Sequence, residues 1–153
     1  MTTSSERPSL GTAVIYKDPF KALDWLEEAF GFERTMVITD SDGNLGHSQM
    51  NFGNGYIMVA SEWADFTRSP QSLDGKNTQF IRVHLTENID AHCERARKAG
   101  AEILQEPEDQ FYGDRTYRAR DFEGHVWTFG QTVKQVTREE AETASGLKIE
   151  GWV

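Results

Sequence analysis

The chain has 153 residues, with 16 Lys+Arg against 25 Asp+Glu, a formal charge of −9 and a pI near 4.9. That length predicts one domain able to bury a real core, and the acidity argues against a nucleic-acid partner, whose phosphates it would repel. No apolar run approaches the roughly 18 residues of a membrane span. The opening Met1–Pro8 lacks the apolar stretch of a secretory leader. The one cysteine, Cys93, excludes an internal disulfide and fits a reducing compartment, so a cytoplasmic location is expected.

In chain order, Thr12–Tyr16 is a β-rich run. Asp18-Pro19 reads as an N-cap followed by proline at the first helical position. Phe20, Leu23, Leu26 and Phe30 recur at helical spacing, and Gly31 closes the helix. Strands are expected over 32–39, 46–52 and 56–61, with turns at Ser41–Asn44 and at Asn54-Gly55. The same order then returns. It comprises a strand over 80–85, a helix capped by Asn88 with the stripe Ile89, Cys93 and Ala96, and strands near 102–105, 115–121 and 125–130. Gly31 lies 69 residues before Gly100, and Gly55 lies 69 before Gly124. Matched punctuation at one offset marks an internal repeat. The expected organisation within a single domain is a first βαβββ module over 10–61, a linker over 62–79, a second module over 80–131 and a tail over 132–153. Thr137-Arg-Glu-Glu140 has capping-box spacing and predicts a short C-terminal helix. Leu147, Ile149 and Trp152 form an apolar tail that either docks on the chain's own surface or serves as a dimer contact or lid.

Strand alternation sorts the chemistry onto faces. Ile81, Val83 and Leu85 should meet the helices, leaving Phe80, Arg82 and His84 opposite. Likewise Thr116, Arg118 and Arg120 oppose Tyr117 and Ala119, and Val126 and Thr128 oppose Trp127 and Phe129. In the first module His47, Gln49 and Asn51 oppose Met50 and Phe52. Clustered Arg and His on one face favour a polar or anionic ligand; the alternative is that these arginines pair with Asp114 or Asp121 at the surface. The candidate ligand-binding set is His47, Gln49, Phe80, Arg82, His84, Phe111, Arg118 and Thr128, with Trp63 of the linker as a further aromatic. His84 is the candidate general base. The four histidines make no HxH, HxxxH or HExxH spacing, Cys93 reads as a buried inert thiol, and His125 reads as structural. Neither a metal nor any other cofactor is expected.

Two tandem βαβββ units, the helix stretch 18–32 and the stretch 112–129 with its Asp121-x-x-Gly124-His125-x-Trp127 hairpin resemble the vicinal oxygen chelate superfamily, the glyoxalase/bleomycin-resistance/extradiol-dioxygenase group. The resemblance implies an α+β fold in which two modules form an open eight-stranded β cup around a small-molecule site, commonly in a homodimer. It also implies a test. Metal-dependent members carry His, Gln or Glu at one position in the first and last strands of each unit, and turn and helix alignment puts those positions here at Gly11, Val59, Phe80 and Thr128. A one-residue slip brings in Met58. None of these suits a divalent cation. The expected function is therefore binding of a small polar or anionic organic molecule without a metal. The alternative is a metal-dependent lyase or isomerase of glyoxalase type, or a dioxygenase, with a noncanonical set such as His47, His84 and Glu62.

Overall fold

Each half of the chain runs strand, helix, three strands. The first half holds β1 (Thr12–Tyr16), α1 (Pro19–Phe30), β2 (Glu33–Thr39), β3 (Leu45–Phe52) and β4 (Gly55–Ser61). The second holds β5 (Ile81–Leu85), α2 (Ile89–Lys98), β6 (Glu102–Asp109), β7 (Asp114–Arg120) and β8 (Val126–Thr132), and α3 (Arg138–Ser145) follows. This computed structural model describes residues 7–153, so most of the opening stretch weighed as a leader lies outside the described residues. The strands form two four-stranded mixed sheets, ordered β1-β4-β3-β2 and β5-β8-β7-β6. In each, the first strand pairs parallel with the last and the remaining pairs are antiparallel. The fold is α+β with tandem βαβββ modules and a short C-terminal helix. No helix among the described residues is long and apolar enough to cross a membrane.

Helix α1 starts and stops where its end signals lie. Asp18 Oδ1 accepts from the Lys21 N–H at 3.2 Å, Pro19 occupies the first turn, and Gly31 takes φ 83°. Its buried arc is Pro19, Ala22, Leu23, Trp25, Leu26, Ala29 and Phe30. Phe20, expected on that arc, is 40% exposed, because at 100° per residue it falls to one side of it. Trp25 was missed because it packs on the other half of the chain, where its indole N–H donates to Ala99 O at 2.7 Å. In α2 the stripe Ile89, Cys93 and Ala96 is buried as expected. Asn88 does not cap with its side chain; it adopts φ 56°, and Gln131 Oε1 accepts the Ile89 N–H instead. Strand β6 runs on through Pro107 to Asp109, which an edge strand tolerates because one flank needs no ladder donor.

Both sheets close on one core. Val14, Tyr16, Met50, Ile57 and Val59 from the first sheet, and Val83, Leu85, Tyr117, Trp127 and Phe129 from the second, form a single cluster with the apolar sides of both helices. Phe30 of α1 lies 4.7 Å from the Phe129 ring and 5.4 Å from Trp127 of the opposite module, within aromatic contact range. Since both inner faces look onto this core, the two helix-free faces look away from it.

The two β-hairpins differ by one residue. Phe52 pairs with Gly55, so Gly53-Asn54 is the turn and Gly53 takes φ 55°. In the second hairpin the Asp121 N–H bonds His125 O, enclosing Phe122-Glu123-Gly124, with Gly124 at φ 100°. The repeat offset is therefore 69 residues up to the hairpin and 70 beyond it. Val14 pairs with Val59, whereas Val83 pairs with Phe129. Val59, taken as a face position, is 0% exposed in the core, and Met58 is the true counterpart of Thr128.

The second hairpin clasps the first module. Asp121 Oδ2 accepts from Tyr16 OH at 2.6 Å and from the Trp127 indole at 3.1 Å. Glu123 accepts the N–H groups of Lys17 and Asp18 at 2.7 and 2.8 Å, and Ser69 Oγ at 2.6 Å. His125 Nε2 donates to Ile15 O. The Asp-x-x-Gly-His-x-Trp stretch is thus a junction between modules, and Asp121 is buried in it rather than paired with a surface arginine. The segment between the modules is tied to the same hairpin, with Asn77 Nδ2 donating to Gly124 O.

Candidate functional site

The helix-free face of the second sheet gathers most of the candidate residues. Arg82 and His84 project from β5, opposite the inward Val83 and Leu85. Arg118 and Thr128 are register partners on β7 and β8, and Arg118 Nε donates to Thr128 Oγ1 at 3.1 Å. The guanidinium of Arg118 also lies 6.0 Å from the Phe80 ring centroid, a cation–π placement. Arg118 is therefore held between Phe80 and Thr128 and has no carboxylate partner among the described residues. Arg82 does have one: Asp114 at 2.8 Å. Arg120 pairs with Glu102 at 2.8 Å. Pairing with Asp114 thus holds for Arg82, Arg120 pairs instead with Glu102, and Arg118 pairs with neither Asp114 nor Asp121.

The remaining candidates lie elsewhere. His47 and Gln49 sit on β3 with their inward neighbours Ser48 and Met50 buried, so they occupy the helix-free face of the first sheet. No hydrogen bond or ion pair among the described residues joins either to the second sheet. Phe111 lies in the β6–β7 connection, edge-to-face with Tyr112. Trp63 is 64% exposed and packs on Phe66 in the segment between modules. A groove of about 620 Å³ runs beside Arg82 and His84 and is also lined by Leu10, Gly11, Tyr56 and Ile81. Sequence reasoning missed Tyr56, whose ring occupies the space a side chain at position 11 would need.

The buried polar groups are structural. His92 donates from Nε2 to Phe30 O at 2.8 Å and is hydrogen-bonded at Nδ1 to the Tyr117 hydroxyl at 2.6 Å. Burial holds its pKa below the ordinary value. Burial also pushes the Cys93 thiol up to about 11, which keeps it protonated and inert.

The sequence model of the Glyoxalase/Bleomycin resistance protein/Dioxygenase superfamily matches residues 10–129. The chain belongs to this superfamily. Uncharacterized proteins of Mycobacterium bovis and Mycobacterium tuberculosis H37Rv are each 29% identical over 149 residues, covering 94% of this chain and 96% and 86% of theirs. Among solved structures, TioX from Micromonospora sp. ML1 is 30% identical, with a TM-score of 0.63, over 82% of this chain and 99% of TioX. The fosfomycin resistance protein FosX from Listeria monocytogenes, solved with Mn(II) and sulfate, shares the fold at 17% identity and a TM-score of 0.59, over 90% of this chain and 96% of its own.

Within this superfamily a divalent cation is a recurrent resident, and the residues here do not fit one. Corrected for register, the positions are Gly11, Met58, Phe80 and Thr128, with no imidazole or carboxylate among them. Tyr56 roofs Gly11, and the Thr128 hydroxyl already accepts from a guanidinium cation. The set His47, His84 and Glu62 is not assembled within the chain. Glu62 accepts the Ser69 N–H at 2.9 Å, and the one trio of His, Cys, Asp or Glu ligand atoms in mutual reach among the described residues is Cys93, Glu94 and Glu106. That trio is bridged by Arg97 and contains the protonated thiol. His84 has no hydrogen-bond partner among the described residues to orient it as a base, so no catalytic step follows from its placement.

Proposed function

We propose that this chain binds a small polar or anionic organic molecule on the helix-free face of its second sheet, and that it does so without a divalent cation. The observation that carries this reading is Arg118. No carboxylate among the described residues neutralises its charge, it is oriented by Thr128 and Phe80, and it sits between two of the positions where relatives of the metal-dependent kind place ligands. A guanidinium offers a fixed fork of donors to a carboxylate, phosphonate or phenolate oxygen, and Phe80, 60% exposed, offers an apolar surface beside it. His84 and Arg82 extend the same polar strip.

The bowl expected for this fold is completed by a second copy. Helix-free faces that look away from one shared core leave His47 and Gln49 apart from Arg82, His84 and Arg118 within a chain. The first sheet of one copy facing the second sheet of another would bring the two sets together in a homodimer, with two equivalent sites related by a twofold axis.

The test is calorimetric titration of the full chain with small organic acids, before and after exhaustive chelation, alongside sedimentation to establish the oligomeric state. Expected are a dimer, chelation-insensitive binding, and about tenfold weaker binding in Arg118→Met, the loss of one charge-assisted contact. Stoichiometric metal whose removal abolishes binding would favour instead the metal-dependent lyase, isomerase or dioxygenase reading.

A further inference from the structure

Residues beyond 129, outside the stretch the superfamily shares, build a compartment of their own. A cavity of about 660 Å³ lies between the C-terminal tail and the second module, lined by His84, Phe111, Tyr112, Lys134, Val136 and Trp152, among others. The tail is folded back onto it in three steps. Thr137 Oγ1 accepts the Glu140 N–H to start α3, and Gly146 ends it at φ 73°. Glu142 Oε2 then accepts the Ile149 N–H at 2.9 Å, and the Trp152 indole N–H donates to Val136 O at 3.1 Å. The rings of Trp152 and Phe111 remain 41% and 39% exposed, so the tail does not collapse onto the loop it faces.

The charges at this cavity are unequal. Asp114, its one acidic side chain from the second sheet, is already engaged by Arg82 at 2.8 Å and by Thr132 Oγ1 at 2.9 Å. Lys134 has no carboxylate within 4.0 Å among the described residues. The space thus combines aromatic walls with the ammonium of Lys134, and the terminal Val153 also lines it.

We propose that this cavity is a second binding site, taking a small planar aromatic molecule with an acidic group, with the C-terminal tail as one wall. The ring lies among Phe111, Tyr112 and Trp152, where flat surfaces and ring edges favour stacked or edge-on contact. The acidic group meets Lys134. The volume falls in the usual range for small-molecule sites. The cavity adjoins the sheet face of the proposed function, since His84 borders both and Asp114 of the cavity pairs with Arg82, and the Lys134 and Arg118 variants separate the two.

The test is titration of the full chain with 2-naphthoate and with its neutral analogue 2-naphthamide, read by calorimetry. Expected is 2-naphthoate binding that Lys134→Met weakens about tenfold, with 2-naphthamide unaffected, the loss of one ion pair. Trp152→Ala weakens both ligands, Trp152→Phe restores both in calorimetry, and circular dichroism confirms that each variant folds. Wild-type protein that fails to bind 2-naphthoate, or Kd values unchanged in both Lys134→Met and Trp152→Ala, overturns the proposal. Binding lost in Arg118→Met alone overturns it too, and places the probe on the sheet face, leaving the proposed function standing.

Discussion

Two of the places where one module reaches the other are related by the repeat, yet they are built from opposite chemistry. At the second hairpin, two buried carboxylates, Asp121 and Glu123, accept five N–H groups and two hydroxyls from β1, α1, the intermodule segment and the hairpin itself. At the first hairpin the contact is a ring, with Phe52 6.3 Å from His92, and His92 is in turn bonded to the last carbonyl of α1. Among the described residues the Gly53-Asn54 turn contributes no side-chain hydrogen bond. A repeated backbone therefore did not impose a repeated junction. One is an anionic clasp whose donors are costly to abandon, and the other is an aromatic contact built around the His92 imidazole.

The sharpest way to break this comparison is Glu123→Ala. It strands the Lys17 and Asp18 N–H groups and the Ser69 hydroxyl, and about 3 kcal/mol of stability should be lost in urea unfolding. An equal loss from Asn54→Ala would abolish the distinction. Next is Gly124→Val. A side chain at φ 100° is strained, and its Cβ would lie 3.1 Å from Pro70 Cβ, so a loss of about 2 kcal/mol is expected. Gly55→Ala, at an extended position with only Phe52 O within 4 Å, should stay within about 0.5 kcal/mol.

The aromatic junction predicts a pH effect. Because burial depresses the His92 pKa below 6.5, the unfolded chain takes up that proton first. The stabilisation is complete above about pH 6.5 and declines as pH falls toward the folded value. The urea midpoint should drop between pH 7 and pH 5, and His92→Gln should flatten this slope. The lowered carboxyls of Glu27 and Glu62 act below 4.5 and leave this window clear. The smallest expected effect is Asn54→Ala, within about 0.5 kcal/mol.

What was legible in the sequence follows from how local its physics is. The start and end of α1 are carried by Asp18, Pro19 and Gly31, residues adjacent to what they control. The alternation that placed Arg82, His84, Arg118 and Thr128 on one face needs only a strand. Contacts between residues far apart in the chain were not legible. Trp25 is buried by Ala99, Ile89 is capped by Gln131, and Asp121 serves Tyr16, partners separated by 74, 42 and 105 positions. The misplacement of Val59 has a different cause. Aligned glycines suggested a constant offset, but Gly53 and Gly124, not Gly55 and Gly124, are the turn residues with positive φ, and the longer second turn moves every later residue by one. The ends of the apolar tail were readable as sticky, but not the cavity they enclose.

The Arg118 guanidinium belongs to the polypeptide itself. A protein of this build has its positive centre in place as soon as it folds. Unlike a bound ion, it is covalently tethered and held in place by Thr128, so a chelator has nothing to remove.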